Sequence, residues 1–127
     1  MPEPEAESPG APGLKTLGEY LLQDPLKNSV RVLMLFSLGI NHRLSFTELL
    51  ELTGISKGSL SHHLDQLSAA GLIRSRKVFT LGGPRVQVEI TPLGLVVFEK
   101  LTRTLVGLAA TTEGHPSPPG PAAELSH

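Results

Sequence analysis

Cysteine is absent from all 127 residues, which removes disulfides, thiolate metal sites and cysteine nucleophiles. No apolar run approaches the roughly 20 residues a membrane-spanning helix needs. Met1 to Gly13 has neither the basic start nor the apolar stretch of a signal peptide, so the expectation is a cytoplasmic protein. Enzyme signatures are missing too: there is no Ser/His/Asp spacing, Gly-rich phosphate loop or pair of carboxylates in a pocket context. Leu81-Gly82-Gly83-Pro84 reads as a hairpin turn, not a phosphate cradle. Neither an enzyme nor a cofactor is expected.

The chain also lacks an overall basic charge, its net value being −1, but the distribution matters more than the sum. All 11 Lys and Arg lie between Lys15 and Arg103 with seven acids, so this body carries +4. The other five acids sit in the two ends. Arg74, Arg76, Lys77 and Arg85 form a cluster with no acid between them. Eight of the 11 prolines fall in residues 1–13 and 112–127, which are expected to be disordered tails around one domain, 14–111.

Phe46 to Ile73, FTELLELTGISKGSLSHHLDQLSAAGLI, organises that domain. Phe46, Leu49, Leu50 and Leu52 recur at helical spacing and point to a core. Ser45 with Glu48 three residues on is the capping-box pattern, and Gly54 suits the left-handed position that ends a helix. Ser56 then caps a second helix with an apolar stripe of Leu60, Leu64 and Leu67. Two helices around a short Gly-containing turn make a helix-turn-helix.

Upstream, Leu14 to Gln23 places Leu14, Leu17, Leu21 and Leu22 on one side of a short amphipathic helix that Asp24-Pro25 ends. Asn28 or Ser29 opens a denser apolar helix, Val30 to Leu38, which Gly39 closes before a polar loop at Asn41-His42-Arg43. Downstream of Gly71 the period changes to two. LIRSRKVFT and RVQVEIT flank a Gly-Gly turn, and Val86, Val88 and Ile90 share a face: a β-hairpin. Thr91-Pro92 starts a final helix running to about Ala110. The fold expected is mainly α (α+β), a winged helix-turn-helix with a β-hairpin wing and flanking N- and C-terminal helices.

With the leucine stripe inward, Gly58, Ser59, Ser61, His62, Asp65 and Gln66 point outward or sideways. This face is short, polar and free of the Lys/Glu pairs common on solvated helices, and suits a groove about 12 Å wide. Lys57, Ser59, Ser61, His62 and Gln66 are the candidates to enter it. Gln pairs bidentately with adenine, while Ser takes a base edge, a phosphate or simply its own backbone. His63, beside the leucine stripe, reads as a partly buried packing residue. His62 and His63 diverge by about 100° and so cannot grip one ion; no metal site is expected.

ISKGSLSHHLDQLSAAGLI, with Leu60, Ser61, His63, Leu64, Leu67, Ala70, Gly71, Leu72 and Ile73 in matching positions, resembles the recognition segment of the MarR- and ArsR-like regulators of bacteria and archaea. GGPRVQVEITPLG resembles the end of their wing, and the likeness covers Pro25 to Leu105. It implies a homodimeric regulator of transcription, a repressor by family habit, that binds double-stranded DNA in a sequence-specific way. The helix at about 56–70 would lie in the major groove and the wing at about 73–90 on the backbone or in the minor groove. The chain departs from the pattern in lacking the paired cysteines of the metal sensors, and its recognition helix has Lys57 where many relatives carry arginine.

Arg74, Arg76, Lys77 and Arg85 are accordingly expected on phosphates, with Arg85 next to the Gly-Gly-Pro tip entering a minor groove. A solvated edge strand guarded by cations is the plainer alternative. Leu14, Leu17, Leu21, Phe98, Leu101, Leu105 and Leu108 offer more apolar surface than the small core absorbs, and are expected to pair with a second copy. Such a dimer would set its recognition helices about 34 Å apart. Whether a small-molecule effector binds is left open. The competing function is a winged helix serving as a protein–protein interaction module, without DNA binding.

Overall fold

Three leucines on one helix decide how everything else is arranged. In the computed structural model, which describes residues 11–112, Leu60, Leu64 and Leu67 are buried in a single cluster with Met34, Leu35, Leu38, Leu49, Val88 and Leu101. The tails expected to be disordered lie, for residues 1–10 and 113–127, outside the described residues.

The elements run α1 (Ala11–Leu21), α2 (Ser29–Asn41), β1 (Arg43–Ser45), α3 (Phe46–Thr53), α4 (Lys57–Ala69), β2 (Ile73–Thr80), β3 (Gly83–Ile90) and α5 (Pro92–Ala110). Each helix start after α1 is capped by a short polar side chain. Asn28 accepts the N–H groups of Val30 and Arg31. Ser45 and Glu48 complete a reciprocal capping box at 3.0 and 2.8 Å. Ser56 accepts from the Ser59 N–H at 3.1 Å, which fixes where α4 begins. Between α3 and α4, Gly54 takes the left-handed conformation (φ 69°) that bends the chain into the helix-turn-helix. Thr91 caps α5 and donates to the Gly71 carbonyl at 2.6 Å, tying the exit of α4 to the entry of α5.

The wing is an antiparallel hairpin with β2 and β3 paired from Ile73↔Ile90 out to Thr80↔Gly83. A third strand, β1, joins the free side of β3 at Arg43↔Glu89, Leu44↔Val88 and Ser45↔Gln87, giving the order β1-β3-β2. Pro84 lies beyond the reach of β1, so its missing N–H leaves no gap in that ladder.

Several boundaries differ from the sequence reading. Helix α1 begins at Ala11, three residues before the expected start at Leu14. Leu22 lies past the end of α1 and is exposed, as is Leu52 on α3, although both patterns placed them inward. Strand β1 occupies part of what read as a polar loop. Gly39 does not end α2, which continues to Asn41. Its function is close approach, since a Cβ there would run into the Phe98 ring of α5. Phe98 in turn meets Phe36 of α2 edge-on, 5.6 Å between centroids at 89°.

Candidate nucleic-acid interface

Burial of the leucine ridge turns the opposite face of α4 outward. Lys57, Gly58, Ser59, Ser61, His62, Asp65 and Gln66 are all exposed. Among the described residues nothing engages the hydroxyls of Ser59 or Ser61 or the amide of Gln66, so these groups remain available as donors and acceptors. The structure thus brings the five α4 candidates onto one accessible surface.

The wing contributes cations in two different states. Cross-strand register places Arg74 and Arg76 beside Glu89, whose carboxylate takes both guanidinium groups at 3.2 and 3.4 Å. The cluster is therefore partly compensated, which corrects the reading of four unopposed charges. Glu89 lies outside the stretch from Arg74 to Arg85 in sequence, and only strand pairing brings it in. Both arginines remain half-exposed or more (64 and 52% of their side-chain surface), while the Glu89 carboxylate they share is only 12% exposed. Lys77 and Arg85 have no carboxylate within ion-pair distance among the described residues. The Arg85 guanidinium lies over the Gly82 turn, 3.0 Å from where a Cβ of residue 82 would stand.

One structural link escaped the sequence reading. Arg31 of α2 is buried beneath α4. Its Nε donates to the Pro25 carbonyl at 2.6 Å, one terminal nitrogen meets Asp24 at 3.6 Å and the other reaches His63 Nδ1 at 3.1 Å. The α1–α2 connection is thereby linked to α4 through one guanidinium. A lone cation inside an apolar helical run was the available signal. His63 is half-buried, as its place beside the leucines implied. Its ring stands 5.7 Å from that of His62 at 55°. Among the described residues no three potential ligands gather into a metal site.

The expected dimer residues divide. Leu14 and Leu105 are exposed, at 51 and 43%. Leu17 and Leu21 pack partly against the protomer's own core, and Leu108 lies against Gly13 of α1. Phe98 is half-buried against Phe36 and Gly39. Leu101 is only 1% exposed and belongs to the interior, so it leaves the set of interface candidates. Val96 and Val106 on α5 and Leu33 and Ile40 on α2 add exposed apolar surface.

The Arg31–His63 contact has a consequence for acid stability. Burial first, then the Arg31 and His62 charges, hold the His63 pKa below the ordinary imidazole value of about 6.5. The unfolded chain therefore takes up this proton at higher pH than the folded one. The stabilisation is complete above about pH 6.5 and lost as pH falls through the folded value. Thermal melting should drop on acidification below that point. His63→Gln, which keeps an acceptor for Arg31 but does not titrate, should flatten the drop; an unchanged pH profile would remove His63 as its cause.

Comparison with known proteins gives this geometry a family. A winged helix DNA-binding domain model matches residues 30–108. Among solved structures, the transcriptional regulator homologue from Pyrococcus horikoshii is 24% identical, with a TM-score of 0.66 over 80% of this chain and 97% of that one. A MarR family transcriptional regulator from Silicibacter pomeroyi is 20% identical, at a TM-score of 0.62 over 82 and 68%. BpsR of Bordetella bronchiseptica, whose DNA binding is regulated by 6-hydroxynicotinic acid, is 17% identical, at 0.58 over 87 and 81%. No curated protein matches the chain by sequence. These relatives are regulators of transcription rather than enzymes. No helix among the described residues is long and apolar enough to cross a membrane. With five helices, a three-stranded antiparallel sheet and a hairpin wing in the arrangement of the MarR-type regulators, the chain belongs to the winged helix DNA-binding domain family.

Proposed function

We propose that the chain is a sequence-specific regulator of transcription that binds double-stranded DNA as a homodimer, with α4 in the major groove and the wing on the backbone or minor groove. The observation that carries this reading is the exposed face of α4, whose polar groups are unengaged while its leucines anchor the opposite side. Gln66 is suited to an adenine, and Lys57, Ser59, Ser61 and His62 to base edges or phosphates near it. Lys77 and Arg85 supply standing positive charge on the wing, and Arg74 and Arg76 together carry one charge more than Glu89 offsets. Repression, by blocking access to the same duplex, follows the habit of the family.

The dimer rests on apolar surface that the protomer leaves uncovered. Leu14, Val96, Leu105 and Val106 lie exposed on the two terminal helices, α1 and α5. A two-fold axis through them would present two copies of α4 to successive major-groove turns, about 34 Å apart. Val106→Glu, at a site 70% exposed and so harmless to folding, should convert dimer to monomer in sedimentation. A dimer that survives it would move the interface elsewhere.

A second reading, a protein-interaction module with no affinity for DNA, draws on the partial neutralisation of the wing by Glu89. Duplex titration against salt separates the two. A DNA binder loses affinity with a log–log slope of about −0.9 per neutralised phosphate. Lys77→Ala with Arg85→Ala should make that slope shallower by roughly 1.8 on any duplex, and an unchanged slope would take the wing out of the interface. No duplex binding even at low salt would leave the interaction module as the better reading.

A further inference from the structure

The core-facing side of the wing continues well past the core. Strand register aligns Ile73, Ser75, Lys77 and Phe79 with Ile90, Val88, Val86 and Pro84 on one side of the hairpin. Val88 at the inner end of this strip is fully buried, whereas Phe79 at the outer end is 81% exposed. Leu81, in the turn, is completely exposed. At about 3.4 Å per residue the apolar strip extends some 13 Å beyond Val88 with no described residue covering its end. Isolated apolar side chains on a surface need no explanation, but an exposed Phe79 paired with Pro84 at the end of a projecting arm, with Val86 one step inward and Leu81 in the turn, does.

Charge identifies what covers them. Lys77 precedes Phe79 by two residues, Arg85 follows Pro84, and neither has a carboxylate within ion-pair distance among the described residues. A second copy of the arm would bring like charges together. A minor groove offers both requirements at once, apolar deoxyribose walls and two rows of phosphate. We propose that Phe79 and Leu81 form an apolar wedge that enters a minor groove and loosens the stack of one base step, while Lys77 and Arg85 hold the phosphates on either side. This rests on the regulator reading above and adds a mode of recognition to it. The wing then senses how easily the duplex deforms, favouring flexible pyrimidine–purine steps at positions the α4 helix never touches.

The test uses the full chain and an end-labelled duplex recovered from a random library by selection with that chain. Affinity is followed over salt, and duplex bending by energy transfer between the ends. Phe79→Ser with Leu81→Ser should weaken binding about five-fold or more at every salt concentration, the range expected for one lost stacking contact, without altering the salt slope. The energy-transfer change on binding should shrink with it. Leu81→Ser alone should give a smaller loss in the same direction. Wild-type affinity and bending in the double variant would overturn the wedge while leaving the regulator reading intact. Loss of self-association in that variant would also overturn it, making the arm a contact between copies. Failure of the unmodified chain to bind any duplex would instead sink the reading beneath it.

Discussion

Everything proposed for this protein depends on the rotation of one helix about its own axis. Leu60, Leu64 and Leu67 sit on a single stripe of α4 and are buried against leucines of α2 and α3 and against the sheet. Burying each such side chain stabilises the fold by about 1.5–3 kcal/mol. Turning α4 by one residue would bring Ser61, Asp65 and Ser68 to the core in their place, leaving polar groups without partners at a further cost of roughly 1–3 kcal/mol each. No surface contact available to α4 competes with that. The polar face is outward because the apolar face cannot be anywhere else.

Around that constraint the connections fix where the helix starts, ends and leans. Ser56 sets its first residue, and the Thr91–Gly71 bond anchors its exit. Arg31 joins its middle, through His63, to the loop after α1. The last of these is the one that titrates.

The sequence made legible whatever repeats with a regular period or carries a local capping signal. The helix-turn-helix, the hairpin and the last helix all fall within a residue or two of their expected bounds, because Ser45–Glu48, Gly54, Ser56 and Thr91-Pro92 act over short range. What it hid is non-local. Strand β1 has three residues, too few to show a period, and exists only because β3 offers it an edge. Glu89 offsets part of the charge of Arg74 and Arg76 from the facing strand, at a separation in sequence that charge counting does not register. Gly39 looked like a stop because the ring of Phe98, nearly sixty residues on, is invisible from its neighbours. Leu101 looked like a contact for a partner because periodicity shows that a side chain faces something apolar, but not in which molecule.

The absence of cysteine makes the central claim directly measurable, since a single introduced thiol is then a unique tether. Ser61→Cys on α4 and Arg103→Cys on α5, both at exposed positions, would each carry an iron chelate that cleaves nearby DNA strands. With a selected duplex, the tether at residue 61 should cut both strands within a few base pairs of the site centre of each half, and the tether at residue 103 should cut weakly and diffusely. Strong local cleavage from residue 103, with none from residue 61, would show that α4 does not enter the groove.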